Sequence, residues 1–168
     1  TKLIGIEELK SKGYTTSKRA WHNKHNWYGG VHDDVLLTAA IDELKKINKK
    51  NFFMTIYTLD THAPAGYPSI KCLKDINNMQ DYFNYKISHS VICTSEYVYN
   101  FIKEFNNLKL QNTSLVIIGD HLFMGNLTDK KRYIYNKFLL NGDLKIQRDY
   151  MNFYDLFPSF LEIMNFKI

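Results

Sequence analysis

Ser114-Leu115-Val116-Ile117-Ile118 is a short aliphatic and β-branched run, and Gly119-Asp120-His121 follows it without a gap. The run predicts a buried strand over 114–118. The glycine, carboxylate and imidazole then fall in the loop at its carboxyl end. A second stretch repeats the arrangement. Phe52 to Leu59 reads FFMTIYTL, again a buried strand, and Asp60-Thr61-His62-Ala63-Pro64 follows at once. A third strand is predicted over Tyr133–Leu140, ended by the turn Asn141-Gly142-Asp143.

Helical patterns lie between these strands. Val35, Leu36, Leu37, Ala40, Ile41 and Leu44 recur at helix spacing behind His32-Asp33-Asp34, which predicts a helix over 33–48 with an aspartate cap. Residues 77–105 predict a long helix, broken near Lys86 to Ser90, with Val91, Ile92, Val98, Phe101, Ile102 and Phe105 as its apolar positions. A last helix is predicted over 152–164, with Pro158 as its blemish. Ile4–Lys12 reads as a short helix and 18–30 as irregular. Strands alternating with helices imply an α/β fold, layered α/β/α around a mainly parallel sheet. Ligands of open α/β sheets bind outside the carboxyl ends of the strands, where both loops fall.

The chain has 168 residues, enough for one domain with a real core. With 45% hydrophobic and 15% aromatic residues it is not a disordered tail. No apolar run reaches the roughly 18 residues of a membrane-spanning helix. The net charge is 22 − 17 = +5. The lysines are scattered and the aromatics sit in apolar periodic segments, which argues against a nucleic-acid surface. The charge suits an anionic lipid or phosphate better. The chain opens on Thr1 with no visible signal peptide. A processed product or an excised piece of a larger protein is therefore expected.

Asp120 and His121 offer one oxygen and one nitrogen donor, a set that suits Mn²⁺ or Zn²⁺. Read alone, the same two residues equally describe a turn cap and a solvated imidazole. His62 is placed to bind a phosphoryl oxygen or protonate a leaving group, or to be an ordinary loop histidine beside a turn residue, Asp60. His22, His25 and His32 match no standard metal spacing and read as surface or packing residues. Arg132 could bind an anion as a fork or form a surface ion pair. Cys72 and Cys93 are either two buried thiols or one disulfide, closing a loop of about 20 residues worth roughly 3 kcal/mol. No GxSxG elbow and no glycine-rich phosphate loop is present.

Taken in order, these segments resemble the phosphoglycerol transferase I family of the sulfatase and alkaline-phosphatase superfamily. Lipoteichoic acid synthase is a more distant relative. The resemblance runs through IEELK (6–10), WYGGVHDDVL (27–36), TLDTHAPAGY (58–67), Cys72, CTSEYVYNFI (93–102), IGDHLFMGN (118–126), Arg132 and LEIM (161–164). It implies an alkaline-phosphatase-like fold, with residues 1–168 as the C-terminal part of one catalytic domain, incomplete at its N-terminal side. It implies that Asp120 and His121 ligate a divalent metal (Mn²⁺ above all, Mg²⁺ or Zn²⁺ otherwise), that His62 contacts the phosphoryl group, and that Cys72 pairs with Cys93.

The reaction implied moves phosphoglycerol from an anionic phospholipid to a glycan acceptor. The implied setting is an inner-membrane parent protein, anchored through segments upstream, with this domain in the periplasm. The threonines here do not match the family's nucleophile motif, so this piece alone is expected to be inactive. A sulfatase, a phosphoethanolamine transferase, or a non-catalytic glycan- or phosphate-binding module are the alternatives.

Overall fold

A computed structural model describes residues 31–47, 52–63, 66–75, 87–121, 133–141 and 150–165. The chain divides into two compact units, Thr1–Lys109 and Leu110–Ile168. The expected elements at 4–12 and 18–30 lie outside the described residues, as do 76–86 of the expected long helix.

Unit one contains helices α1 (Asp33–Lys46), α2 (Ile70–Asp75) and α3 (Ile87–Asn107). The apolar spacing that predicted α1 is the spacing of its buried face, with Leu37, Ala40, Ile41 and Leu44 all buried. Asp33 and Asp34 open the helix and Lys45 and Lys46 close it. Both ends thus carry the charge that the helix dipole favours. α1 and α2 both pack on α3.

α3 turns inward a face that includes Phe101 of its expected apolar positions but leaves out Val91 and Ile92. Ser90, Cys93, Thr94 and Phe101 are buried, while Val91 and Ile92 are about half exposed at 48% and 52%. Two specific bonds fix that face. Cys93 is joined to Cys72 of α2 by a disulfide, with Cα atoms 5.8 Å apart. The Thr94 hydroxyl donates to the Asp33 carboxylate at 2.7 Å. A third polar contact, between the hydroxyls of Ser69 and Tyr97 at 2.7 Å, lies on the same side.

The strand expected over 52–59 forms no ladder with any other described residue. This segment is described without strand pairing, and Phe53 and Tyr57 are exposed. A β-strand needs a neighbour for its backbone groups. The N–H of Leu59 goes instead to a side chain, the Asp33 carboxylate.

Unit two holds β1 (Leu115–Ile118), β2 (Asn136–Leu139) and α4 (Phe153–Ile163). β1 and β2 pair antiparallel, from Leu115↔Leu139 to Ile118↔Asn136. Among the described residues the one sheet is this two-stranded antiparallel pair, which does not itself display the expected mainly parallel sheet. The third expected strand therefore runs opposite to the second, with which it pairs. β1 is only partly buried, with Ile118 exposed.

α4 starts on a capping box. The Asn152 side chain accepts from the Tyr154 N–H, and the Asp155 carboxylate accepts from the Asn152 N–H, each at 2.8 Å. This local start holds a helix that carries Pro158 and buries no residue. Asn165 closes it at φ 62, a left-handed position that asparagine tolerates. No helix among the described residues is long and apolar enough to cross a membrane.

Replacing both Cys72 and Cys93 by alanine should lower the stability of unit one by about 3 kcal/mol, because the bond spans 21 residues. A shift in the chemical-denaturation midpoint, absent when the wild type is already reduced, measures it. Asn152→Ala should cost about 1 kcal/mol and reduce the helicity of α4, which circular dichroism reports.

Candidate functional site

Two aspartates exchange backbone caps at the start of α1. Asp33 is the first residue of that helix and has no solvent exposure. One oxygen of its carboxylate accepts the N–H of Leu59 at 2.7 Å and of Asp60 at 3.3 Å. The other oxygen accepts the Thr94 hydroxyl. Asp60 answers from the loop: its Oδ2 accepts the N–H of Asp33 at 3.1 Å. Its Oδ1 lies 2.9 Å from His32 Nδ1, so that nitrogen carries a proton when it donates to the carboxylate. The helix N-cap residue, His32, makes no side-chain cap of its own. Asp60 supplies the missing acceptor from 27 residues away.

The same loop carries His62. Its N–H donates to the Leu59 carbonyl at 3.0 Å, and its carbonyl accepts from Gly66 N–H at 3.0 Å. The Asp60 carbonyl accepts from Tyr67 N–H at 2.6 Å. His62 Nδ1 lies 2.7 Å from the Ala63 carbonyl. A carbonyl only accepts, so Nδ1 is the donor, and Nε2 holds the lone pair of the neutral ring. Gly66 sits at φ 74, and a Cβ there would collide with the Ser90 hydroxyl oxygen of α3. A side chain would push the loop off the helix. Ser90 Oγ is buried without a hydrogen-bond partner.

The electrostatics follow from this crowding. Burial pushes the Asp33 carboxyl up to about 6, with the Asp60 charge adding to it and the accepted hydrogen bonds opposing it. Burial also raises Asp60, against the pull of His32. Burial works to lower His32, but its hydrogen bond to Asp60 and the charges of Asp60, Asp34 and Asp33 outweigh it and leave the imidazole above its ordinary value.

In unit two, Asp120 and His121 follow β1 directly. The register is fixed by Gly119, whose N–H donates to the Tyr135 carbonyl at 2.8 Å. A Cβ on Gly119 would lie 2.9 Å from Ile134 Cγ2, so the close approach of the two strand ends depends on glycine. Asp120 Oδ1 accepts the His121 N–H at 2.9 Å, and its Oδ2 is 3.5 Å from His121 Nε2. Both side chains are largely exposed, at 77% and 58%.

Residues 2–166 match the family described as Sulfatase. The chain belongs to the sulfatase family. It is similar to Phosphoglycerol transferase I of Xanthomonas campestris pv. campestris (strain ATCC 33913), at 33% identity over 106 residues, covering 61% of this chain and 15% of that protein. Against Phosphoglycerol transferase I of Citrobacter koseri the identity is 29% over 148 residues, covering 84% of this chain and 18% of the relative. The Escherichia coli SMS-3-5 protein of the same name matches at 29% over 127 residues, 74% of this chain and 16% of that one. The matched stretch therefore spans less than a fifth of each of these relatives. No solved structure matches the chain.

This sulfatase-family chain thus places its expected site residues in two clusters, each in its own unit. His62 lies on the turn whose Leu59 and Asp60 are bonded to Asp33, and Asp60 also meets His32. Asp120 comes together with His121. Arg132 lies outside the described residues. Sequence reading missed three members of the first cluster: Asp33 was expected only as a helix cap, Asp60 as a turn residue and His32 as a surface or packing residue. The pointer was there in His32-Asp33-Asp34 and Asp60-Thr61-His62, two acid–imidazole segments beside apolar ones, but their contact is long-range.

The donor chemistry of Asp120 and His121 fits two ligands of a divalent cation. A catalytic metal commonly takes three protein ligands. Among the described residues no three His, Cys, Asp or Glu side chains converge on such a site. The pair therefore fits as part of a set and not as a whole one.

The pH dependence has a definite sign. Asp33 holds its proton to about pH 6 in the folded chain, against 3.8 for the ordinary group, and Asp60 and His32 are raised as well. Over that interval the folded state binds more protons than the unfolded one, so these groups favour folding less as pH rises. Unit one should lose stability from about pH 4 to about pH 6 as Asp33 gives up its proton, and further above about pH 6.5 as His32 does, read by denaturation midpoints. Asp33→Asn, which cannot titrate, should flatten that slope.

Proposed function

We propose that this chain is part of a metal-dependent phosphoglycerol transferase, which moves phosphoglycerol from an anionic, phosphatidylglycerol-type lipid to the hydroxyl of a periplasmic glycan. The observation that carries the reading is the sulfatase-family match over residues 2–166, which takes in both the loop after Leu59 and the loop after Ile118. The names of the relatives supply the transferred group. A layered α/β/α domain with a mainly parallel sheet, facing the periplasm from an inner-membrane protein, belongs to the same proposal.

The residues divide the work as follows. His62, with Nδ1 tied to the Ala63 carbonyl, contacts the phosphoryl group and assists departure of the diacylglycerol oxygen. Arg132 is the second anion contact. Asp120 and His121 hold the cation, Mn²⁺ above Mg²⁺ or Zn²⁺, together with ligands from elsewhere. When bound, such a cation polarises the phosphoryl group and offsets its charge. Positioning and charge neutralisation are the main demands of phosphoryl transfer. The two loops meet them with different means: one fixed imidazole in the first, two exposed donors in the second.

The test is a transfer assay on the full-length protein in membranes, with labelled phosphatidylglycerol and a glucan acceptor. Asp120→Ala should reduce transfer by about 100-fold or more, and His62→Ala by about 10- to 100-fold. Full activity of Asp120→Ala would remove the metal assignment. Transfer of phosphoethanolamine, or hydrolysis of a sulfate ester, in place of phosphoglycerol transfer would replace the reaction. Saturable binding of glycerol phosphate with no turnover would make the domain a binding module.

A further inference from the structure

The backbone that carries His62 has little regular structure to hold it. Among the described residues, 52–59 form no ladder, and the turn begins at Asp60. Fixed points nevertheless surround it. The Leu59 and Asp60 N–H groups end on Asp33, and Asp60 Oδ2 returns to the Asp33 N–H. Leu59 in turn accepts the His62 N–H through its carbonyl, and His62 accepts from Gly66. Asp33 is anchored on both sides, by its place in α1 and by the Thr94 hydroxyl of α3. A continuous chain of hydrogen bonds therefore runs from two helices through one carboxylate to the imidazole-bearing turn.

We infer that Asp33 is a positioning residue, whose carboxylate fixes the Leu59–His62 turn and with it the imidazole of His62. Its reciprocal partner Asp60 closes the arrangement. This rests on the reading of His62 as a phosphoryl contact. It adds that the contact depends on a buried carboxylate that touches neither substrate nor metal. Asp33 serves as acceptor and not as base: both its oxygens are occupied by donors, and it has no solvent exposure.

Amide hydrogen exchange and a glycerol phosphate titration of the same chain, followed at the His62 ring resonance, test this together. Asp33→Ala should speed exchange about tenfold at Leu59, Asp60, His62 and Gly66, while the amides at the centre of α3 keep their rates. It should weaken glycerol phosphate binding at His62 about fivefold or more. Asp33→Asn should rescue both, since its amide oxygen can still accept the two N–H groups and its NH₂ can donate to Thr94. Unchanged exchange at His62 and Gly66 in Asp33→Ala overturns the inference. So does faster exchange with unchanged glycerol phosphate affinity.

If the wild-type His62 resonance does not respond to glycerol phosphate, the phosphoryl reading of His62 fails by itself, and the exchange rates alone decide the positioning. Should Asp33→Ala not fold, Thr94→Val keeps the side-chain shape and removes one anchor. It should raise exchange at the same four amides about threefold. No change there would overturn the inference as well.

Discussion

Two buried carboxylates facing one another is the constraint on which unit one depends. Carboxylates resist burial unless hydrogen bonds replace the water they lose. Here the donors are backbone groups that need acceptors themselves: the first N–H of α1 and the N–H groups of Leu59 and Asp60. Each aspartate meets the other segment's need, so the cost of burial and the cost of orphaned amides offset each other. What remains is a residual cost of burial, which pushes both carboxyls up, with the Asp60 charge adding to it at Asp33. His32 relieves part of it by standing 2.9 Å from Asp60.

That exchange accounts for two departures from local expectation. Phe52 to Leu59 has the composition of a buried strand, yet the last of its N–H groups is committed to a side chain and its aromatic rings are exposed. α3 has Val91 and Ile92 outward, and Ser90, Cys93 and Thr94 inward beside Phe101. The inward face is chosen by the partners waiting there: Asp33 for Thr94, Cys72 for Cys93. Directional bonds, one of them covalent, outrank the hydrophobic preference of Val91 and Ile92.

The two loops of the sulfatase-family chain embody different solutions to presenting an imidazole. His62 sits on a turn tied by backbone hydrogen bonds at Leu59, Asp60 and His62, half-buried and held to one tautomer by Ala63. His121 sits on an exposed strand end, its placement set by Gly119 and by the Asp120 carboxylate. A rigid imidazole suits contact with an oriented phosphoryl group. An open carboxylate–imidazole pair suits a cation that completes its coordination from other residues.

Local sequence determined what depends on neighbours a few residues apart. The spacing Leu37, Ala40, Ile41, Leu44 gave α1 its buried face, and Asn152 with Asp155 gave α4 its start. The loops after Leu59 and Ile118 announced themselves by their residue types, and motif order announced the family. Tertiary structure decided what depends on contacts between distant residues. The bonds of Asp33 to Asp60 and to Thr94 cross 27 and 61 residues, and no periodicity encodes them. The direction of β2 against β1 and the inward face of α3 were settled in the same way. A side chain's local pattern states what it can bond to; only the folded chain brings the partner within 3 Å or so of it.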